Sequence, residues 1–130
     1  MITISLCMIV KNEEKNLERC LSSYAPLMDE IIVVDNRSTD DTRQYVESLL
    51  LKHKNLIYLY EPKPGATNAR HAGAHKAKGE YLVFADNDGL FNPECLAEIR
   101  KVYDVDKECA AVACRIEIQW DGVEPDWIAP

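Results

Sequence analysis

The alternation of short apolar runs with amphipathic segments constrains the fold of this chain more than any other feature of its sequence. Five short runs are rich in β-branched or aromatic residues, and we predict them as strands: Ile2–Val10, Glu30–Asp35, Leu56–Tyr60, Glu80–Ala85 and Ala110–Gln119. The segments between them predict helices over Glu13–Ser23, from a cap at Ser38 or Thr39 to Leu51, over Ala66–Lys78 and near Pro93–Tyr103. This order predicts an α/β fold, a three-layer sandwich with a mostly parallel central sheet.

The length and composition of the chain suit one globular domain. Of its 130 residues, 47% are hydrophobic and 28% are charged, a balance typical of a folded domain rather than a disordered segment. We place this domain over residues 1–119. Residues 120–130 contain two tryptophans and two prolines without clear periodicity, and we treat them as a tail.

The charge and the apolar runs argue against several classes of partner. The formal net charge is -7 and no basic run occurs, which disfavours nucleic acid or an anionic membrane as the main partner. The apolar run at residues 1–10 lacks a basic flank and a small-residue cleavage site, so we predict a strand and no signal peptide. No apolar stretch approaches the roughly 20 residues that a membrane span needs.

The cysteines indicate the redox state of the cellular compartment in which the protein is expected. Their number is odd and no C-x-x-C pair occurs, so we expect reduced thiols in a cytoplasmic protein. The five are Cys7, Cys20, Cys95, Cys109 and Cys114.

Polar residues follow each of the first four predicted strands. They form four clusters: Lys11–Glu13, Asp35–Ser38, Glu61–Gly65 and Asp86–Asp88. In open parallel sheets ligands bind beyond the carboxyl ends of the strands. We therefore expect all four clusters to lie at one edge of the sheet and to form a binding site there.

The Asp86-Asn87-Asp88 cluster has the chemistry of a metal site. Residues i and i+2 of an extended segment point the same way, so both carboxylates can address one hard cation such as Mn²⁺ or Mg²⁺. The alternative is a solvated turn, because Asn-Asp followed by Gly89 is good turn chemistry. A calcium-binding loop of the EF-hand type is excluded, since Leu90 stands where an oxygen ligand is needed. A phosphatase of the haloacid-dehalogenase type, which also carries D-x-D-G after an apolar strand, is a minor alternative.

Two further residues have both a binding and a structural interpretation. The carboxylate of Asp35 could accept hydrogen bonds from a nucleobase or ribose, or form an Asx turn that leads into the next helix. The guanidinium of Arg70 could reach a phosphate or nucleobase with two parallel hydrogen bonds, or be a solvated surface group.

Four segments together resemble the inverting family 2 glycosyltransferases of the GT-A (Rossmann-like) type. They are residues 4–14, 30–42, 65–73 and 77–88, in matching order and spacing. The resemblance implies a nucleotide-diphosphate sugar, of UDP or GDP type, bound across the strand ends and transferred with inversion to an unknown acceptor. It implies that Val10, Lys11, Asn12 and Glu13 flank the base, that Asp35 contacts base or ribose, and that Arg70 lies near the nucleotide. Asp86 and Asn87 count among the donor-binding residues, and Asp86 and Asp88 would hold the Mn²⁺ or Mg²⁺ cofactor.

The chain departs from the family pattern in two ways. Many members carry a second Asp after the one matching Asp35, whereas this chain has Asn36. No carboxylate matches the family's general base; the final strand and tail offer only Glu117, Asp121, Glu124 and Asp126. The expected domain 1–119 is thus a nucleotide-sugar-binding domain, and 120–130 the start of a missing or very short acceptor half. A non-catalytic or truncated nucleotide-sugar-binding module is the alternative. The apolar tail residues Trp120, Trp127 and Ile128 would pack on missing sequence or on a second copy, as a homo-oligomer.

Overall fold

The computed structural model describes residues 3–118 together with 122 and 123. The chain divides into two compact units, residues 1–91 and 92–130. The first unit holds a four-stranded sheet of β1 (Ile4–Val10), β2 (Glu30–Asp35), β3 (Leu56–Tyr60) and β4 (Tyr81–Ala85). The strand order is β3-β2-β1-β4 and all three pairings are parallel. The predicted α/β fold with a parallel sheet is confirmed.

Helices connect the strands as the sequence predicts, with shifted ends. They are α1 (Leu17–Tyr24), α2 (Thr42–Leu50) and α3 (Ala66–Lys76), and a short 3₁₀ turn at Ala25–Leu27 follows α1. The start predicted for α1 is wrong because the Glu13 carbonyl accepts from the N–H groups of Asn16 and Leu17, which closes a turn before the helix. The caps predicted for α2 are also wrong, since Ser38 and Thr39 hydrogen-bond to Asn12 and the helix begins at Thr42.

The core lies on both faces of β1 and β2. These central strands are buried almost throughout, which explains why their sequences show apolar runs without polar alternation. Cys7, Ile32 and Val34 pack with Ala69 of α3 on one face. On the other face, Arg43 of α2 lies over the ring of Tyr58, whose sheet partner is Val33. The two helices therefore cover opposite faces, which gives three layers.

Gly73 lets α3 approach the sheet closely. A Cβ at this position would collide with the thiol of Cys7 and would stand 3.2 Å from Cγ2 of Val34. The absence of a side chain at residue 73 therefore sets the distance between the helix and the two central strands.

The second unit corrects two expectations. It contains α4 (Pro93–Val105), but residues 110–118 form no strand, so the strand predicted over Ala110–Gln119 is wrong for those residues, and Gln119 lies outside the described residues. An alternating pattern becomes a strand only when a neighbour completes its hydrogen-bond ladder, and none of the described residues pairs with this segment. Cys95 and Cys114 form a disulfide, contrary to the expectation of reduced thiols. Their pairing depends on the path of the chain after α4, and no sequence motif such as C-x-x-C predicts that path.

The remaining thiols agree with the expectation, because Cys7, Cys20 and Cys109 are free. None of the helices within residues 3–118 combines the length and apolar character that crossing a bilayer requires. The predictions made for the tail lie outside the described residues; they concern Trp120, Asp121, Glu124, Asp126, Trp127 and Ile128.

Candidate functional site

The loops that follow β1 and β2 are joined by hydrogen bonds at the carboxyl edge of the sheet. The Asn12 N–H donates to Oγ of Ser38 over 3.0 Å, and the Thr39 N–H donates to Oδ1 of Asn12 over 2.8 Å. The Glu13 N–H donates to Oγ1 of Thr42 over 2.9 Å. The two polar clusters that the sequence predicts at one edge therefore meet there and hold each other in place.

Asn12 and Arg37 adopt left-handed backbone conformations in these loops, with φ of 58° and 67°. Such a conformation costs a non-glycine residue on the order of 1 kcal/mol or more, and asparagine tolerates it best. The hydrogen bonds around Asn12 offset this cost. Strained positions of this kind are common where a backbone is shaped for binding.

Asp35 is almost wholly buried, at 1% exposure, and both of its oxygens have partners within the fold. Oδ1 accepts from the Ser38 N–H at 2.8 Å, and Oδ2 accepts from the Tyr58 hydroxyl at 2.8 Å. The carboxylate therefore does bond to its own loop, as the structural interpretation expects, but to the N–H three residues on rather than as an Asx turn directly before α2. Burial, together with the bond to Asp35, raises the pKa of Tyr58 above its ordinary value, so the hydroxyl keeps its proton and remains a donor.

The side chain of Asn36 is directed into the protein rather than toward solvent. The residue is 6% exposed, and its amide hydrogen-bonds to the backbone of the Glu61–Gly65 segment. The third polar cluster is therefore tied to the second through one side chain.

Arg70 and Asp86 line a common cleft of about 130 Å³. Its other lining residues are Cys7, Ile9, Phe84 and Ala85. Burial raises the pKa of the Cys7 thiol to about 11, and the nearby positive charge of Arg70 offsets part of that rise. The thiol is therefore protonated near neutral pH and lines the cleft as a small, unreactive group. A cation and an anion in one small cleft can hold a ligand that carries both a negative charge and a metal ion.

The Asp86–Gly89 turn rests against α1. The Cys20 thiol lies 3.7 Å from the Asp86 carbonyl and 3.5 Å from the Gly89 carbonyl, toward which it donates, and the rings of Tyr24 and Phe91 have centroids 5.3 Å apart. Burial is the main cause that raises the pKa of Cys20 to about 11 and that of Tyr24 to about 12, and the Asp88 charge adds to both shifts. Both groups thus stay neutral donors beside the turn at neutral pH.

Within this turn Asp86 and Asp88 are exposed, whereas Asn87 is half-buried. Nδ2 of Asn87 is buried and lacks a hydrogen-bond partner among the described residues. Within the part of the chain that the structure describes, no three His, Cys, Asp or Glu side chains gather into a metal site. The two aspartates nevertheless suit a Mn²⁺ or Mg²⁺ ion, because they offer oxygen ligands and because such ions commonly complete their coordination with substrate phosphates and water.

The structure places the other predicted residues at the same edge with different exposure. Val10 is buried in β1, so only its backbone could face a ligand, while Lys11 and Asn12 are exposed and Glu13 is half-buried. Asp35 does not line the cleft that holds Arg70 and Asp86. A more open hollow of about 600 Å³ contains neither Arg70 nor the two aspartates, and for that reason we base no site on its larger size.

Sequence reasoning missed three kinds of residue at this edge. Cys7 and Phe84 line the cleft because they are register partners on adjacent strands, and only the order β1-β4 makes them neighbours. Tyr58 lies within a predicted strand, and only the structure shows that its hydroxyl donates to Asp35. Cys20 belongs to no motif, and only the structure places its thiol against the Asp86–Gly89 turn.

A parallel α/β sheet with polar loops, a cleft lined by Arg70 and Asp86, and a paired-aspartate turn at its carboxyl edge is the arrangement in which open α/β sheets bind ligands. Glycosyl transferase family 2 matches residues 5–128. The chain belongs to this family, and its sheet is that of the GT-A fold. Membership of this family argues against the haloacid-dehalogenase alternative.

Individual relatives agree with this assignment. The SPbeta prophage-derived glycosyltransferase SunS of Bacillus subtilis (strain 168) is 36% identical over 101 residues, which cover 77% of this chain and 23% of SunS. The mannosyltransferase PcManGT of Pyrobaculum calidifontis, solved with GDP-Man and Mn²⁺, has a TM-score of 0.70 at 26% identity, covering 78% of this chain and 32% of that one. Glucosyl-3-phosphoglycerate synthase of Mycobacterium tuberculosis, solved with Mn²⁺ and UDP-Glc, has a TM-score of 0.60 at 27% identity, covering 74% and 37%. The chain thus spans about a quarter to a little over a third of the length of these relatives.

Proposed function

We propose that this chain is the donor-binding portion of a glycosyltransferase that uses a nucleotide-diphosphate sugar of UDP or GDP type. The observation that carries the proposal is the cleft shared by Arg70 and Asp86, next to a turn that exposes Asp88. The two solved relatives above bind GDP-Man and UDP-Glc, each together with Mn²⁺, which supports the same ligand class here.

Each side chain has a distinct task in this proposal. The Arg70 guanidinium donates hydrogen bonds to diphosphate oxygens, for which its planar fork is well suited. Asp86 and Asp88 would hold Mn²⁺ or Mg²⁺, which when bound offsets the negative charge of the diphosphate. Lys11, Asn12 and Glu13, with the backbone of Val10, flank the base. Asp35, whose oxygens already accept from Ser38 and Tyr58, would contact base or ribose only through its remaining acceptor capacity. Asn87 contributes to donor binding through the shape of the turn.

Transfer with inversion to an acceptor is the second part of the proposal. It requires a general base, and Glu117 is the one tail-side carboxylate among the described residues, exposed at the end of the second unit. We propose residues 1–119 as the donor-binding domain and 120–130 as the start of the acceptor half, where a homo-oligomer contact would also form. A donor-binding module without transfer activity is the second candidate, because no carboxylate among the described residues matches the general base of the family. Hydrolysis of UDP-Glc or GDP-Man by the chain separates the two, because a pure binding module leaves both intact.

A cytoplasmic location accompanies the proposal. Cys7, Cys20 and Cys109 are free, which suits a reducing compartment, whereas the Cys95–Cys114 disulfide suits an oxidising one. Alkylation under denaturing conditions at the moment of cell lysis, without reductant and followed by mass spectrometry, decides between them. Five alkylated cysteines support the cytoplasm, and three contradict it.

Calorimetric titration tests the donor site. We expect UDP or GDP to bind the wild-type chain in the presence of Mn²⁺ and to bind about tenfold or more weakly without it, because the metal joins carboxylates to phosphates. Asp86→Ala/Asp88→Ala should abolish the metal-dependent part. Asp104→Ala/Asp106→Ala is the matched control, since it removes an exposed acidic pair of the same spacing from the end of α4.

Two outcomes contradict the donor site. In the first, the folded wild-type chain binds neither nucleotide with Mn²⁺ present. In the second, both double variants weaken binding equally, which would make the effect one of net charge alone. Circular dichroism on each variant confirms that the fold is intact.

A further inference from the structure

The Asn36 amide is fully used in holding one short segment of backbone. Nδ2 donates to the Glu61 carbonyl over 3.1 Å and to the Lys63 carbonyl over 2.7 Å. Oδ1 accepts from the Gly65 N–H at 2.9 Å. A single buried side chain therefore satisfies three backbone groups between residues 61 and 65.

These partners require a side chain that donates two hydrogen bonds and accepts one, which an amide does. A carboxylate of the same shape could still accept from the Gly65 N–H, but it would set a charged oxygen against two carbonyl oxygens in a buried place. Such an arrangement replaces two hydrogen bonds by two repulsions. The structure thus gives a physical reason for Asn36 at the position where many family members carry an Asp.

The segment that Asn36 holds leads directly into α3. Gly65 precedes the first residue of α3 and has a φ of 114°, a conformation that glycine adopts without strain. Arg70 follows in the second turn of the same helix. Any displacement of the Glu61–Gly65 segment therefore moves the start of α3, and with it the origin of the Arg70 side chain.

We propose that Asn36 is a positioning residue of the donor site. Its amide fixes the Glu61–Gly65 segment and the start of α3, and this sets where Arg70 stands relative to Asp86 in their common cleft. Asn36 itself need not touch the donor. The inference rests on the proposed function, since it assumes that Arg70 and Asp86 bind the nucleotide.

Titration of the 130-residue chain with UDP and GDP in the presence of Mn²⁺ tests this role. Asn36→Asp should lower the affinity for the nucleotide that binds by about tenfold, because the backbone that carries Arg70 is no longer held in place. Ser5→Ala is the control for lost stability: it removes a buried hydroxyl that bonds to Glu30 and Gly79 at the opposite, amino end of the sheet. With both variants fully folded at the temperature used, Ser5→Ala should change the affinity by less than about twofold.

A pH profile separates positioning from a general loss of fold. The carboxyl group that Asn36→Asp introduces lies between two carbonyl groups, so its pKa is raised and it takes up a proton on mild acidification. Its O–H then donates to one carbonyl, and the affinity ratio of variant to wild type should recover toward one between about pH 7.5 and about pH 5.5. Asn36→Ala, which removes all three bonds without adding a charge, should weaken binding with no recovery. It also serves as the second variant if Asn36→Asp fails to fold.

Hydrogen exchange provides a readout that needs no nucleotide. The amides of residues 61, 63 and 65–70 should exchange about tenfold or more faster in Asn36→Ala than in wild type, and at the wild-type rate in Ser5→Ala. If exchange is unchanged in Asn36→Ala, the positioning role is overturned. It is equally overturned if exchange rises while affinity stays at the wild-type value. If the wild type binds no nucleotide but exchange rises in Asn36→Ala, the donor-site proposal fails. The conclusion that Asn36 holds the Glu61–Gly65 segment is then still supported.

Discussion

At the scale of single residues, the carboxyl edge of the sheet contains polar groups of two kinds. Asp35 and Asn36 are buried and make their hydrogen bonds to the protein, whereas Arg70, Asp86 and Asp88 are exposed. Sequence position alone does not separate the two kinds, because four of the five residues stand at or just after a strand end and Arg70 lies on the helix that follows the third strand. Burial separates the residues that shape the edge from those free to bind a ligand.

The bond from Tyr58 to Asp35 gives a residue-scale prediction. Tyr58→Phe keeps the ring but removes the donor to Oδ2, and leaving a buried carboxylate short of a partner costs about 1–3 kcal/mol. Urea unfolding should show this loss of stability. Tyr60→Phe is the control, because Tyr60 lies two residues along the same strand and is 49% exposed. Equal losses in both variants would contradict a role for the hydroxyl.

At the scale of elements, the contact of α3 with β1 and β2 decides the shape of the cleft. Ala69 and Gly73 face the sheet, and the helix lies close enough that Cys7 and Arg70 share one cleft. The amphipathic signal of α3 is weak because its buried face consists of alanine and glycine rather than large apolar residues. Small side chains on that face are the condition for a close approach.

Gly73→Ala tests this packing. The added methyl meets Cys7 Sγ, so we expect a loss of about 1–3 kcal/mol in the free energy of unfolding. Cys7→Ala removes the clashing atom, and the double variant should therefore be more stable than the sum of the two single changes predicts. Urea unfolding of the four proteins measures the coupling. Strict additivity would show that α3 shifts away freely and that the close contact is unimportant.

At the scale of the whole molecule, buried neutral groups link stability to pH. Cys7 and Cys20 have pKa values raised to about 11 from 9.0, and Tyr24 to about 12 from 10.0, mainly by burial. The folded chain keeps these protons at pH values where the unfolded chain has lost them. Their contribution is therefore complete below the unfolded pKa and is lost as the pH rises through the folded one.

We expect the free energy of unfolding, measured with urea, to decrease between about pH 8.5 and about pH 11. The decrease should be on the order of 2 kcal/mol per thiol. Cys20→Ala should make this decline shallower. Cys109→Ala removes a free thiol that is only half-buried and should leave the slope as in wild type. A stability that stays flat across this range, or slopes that match in all three proteins, would contradict the link.

Much of the fold follows from local sequence. The bounds of β2 and β3 agree with the predicted ones at both ends, because each is a short apolar run between turn residues. The strand predicted near residue 110 was wrong, and so were the caps at Ser38 and Thr39, since both depend on partners distant in sequence. The disulfide between Cys95 and Cys114 was not predicted, for the same reason.

Among the described residues, the sequence by itself determined four strands, four helices, their order and the convergence of the polar clusters, because hydrophobic periodicity and the parallel sheet leave few alternatives. It also determined the family, since four motifs in order are specific where one is not. Only the tertiary structure decided that Arg70 and Asp86 share a cleft, that Asp35 is enclosed by Tyr58, and that Asn36 holds the segment before α3. These facts depend on strand order and on how closely α3 packs, and such contacts between residues far apart in the chain leave no local pattern.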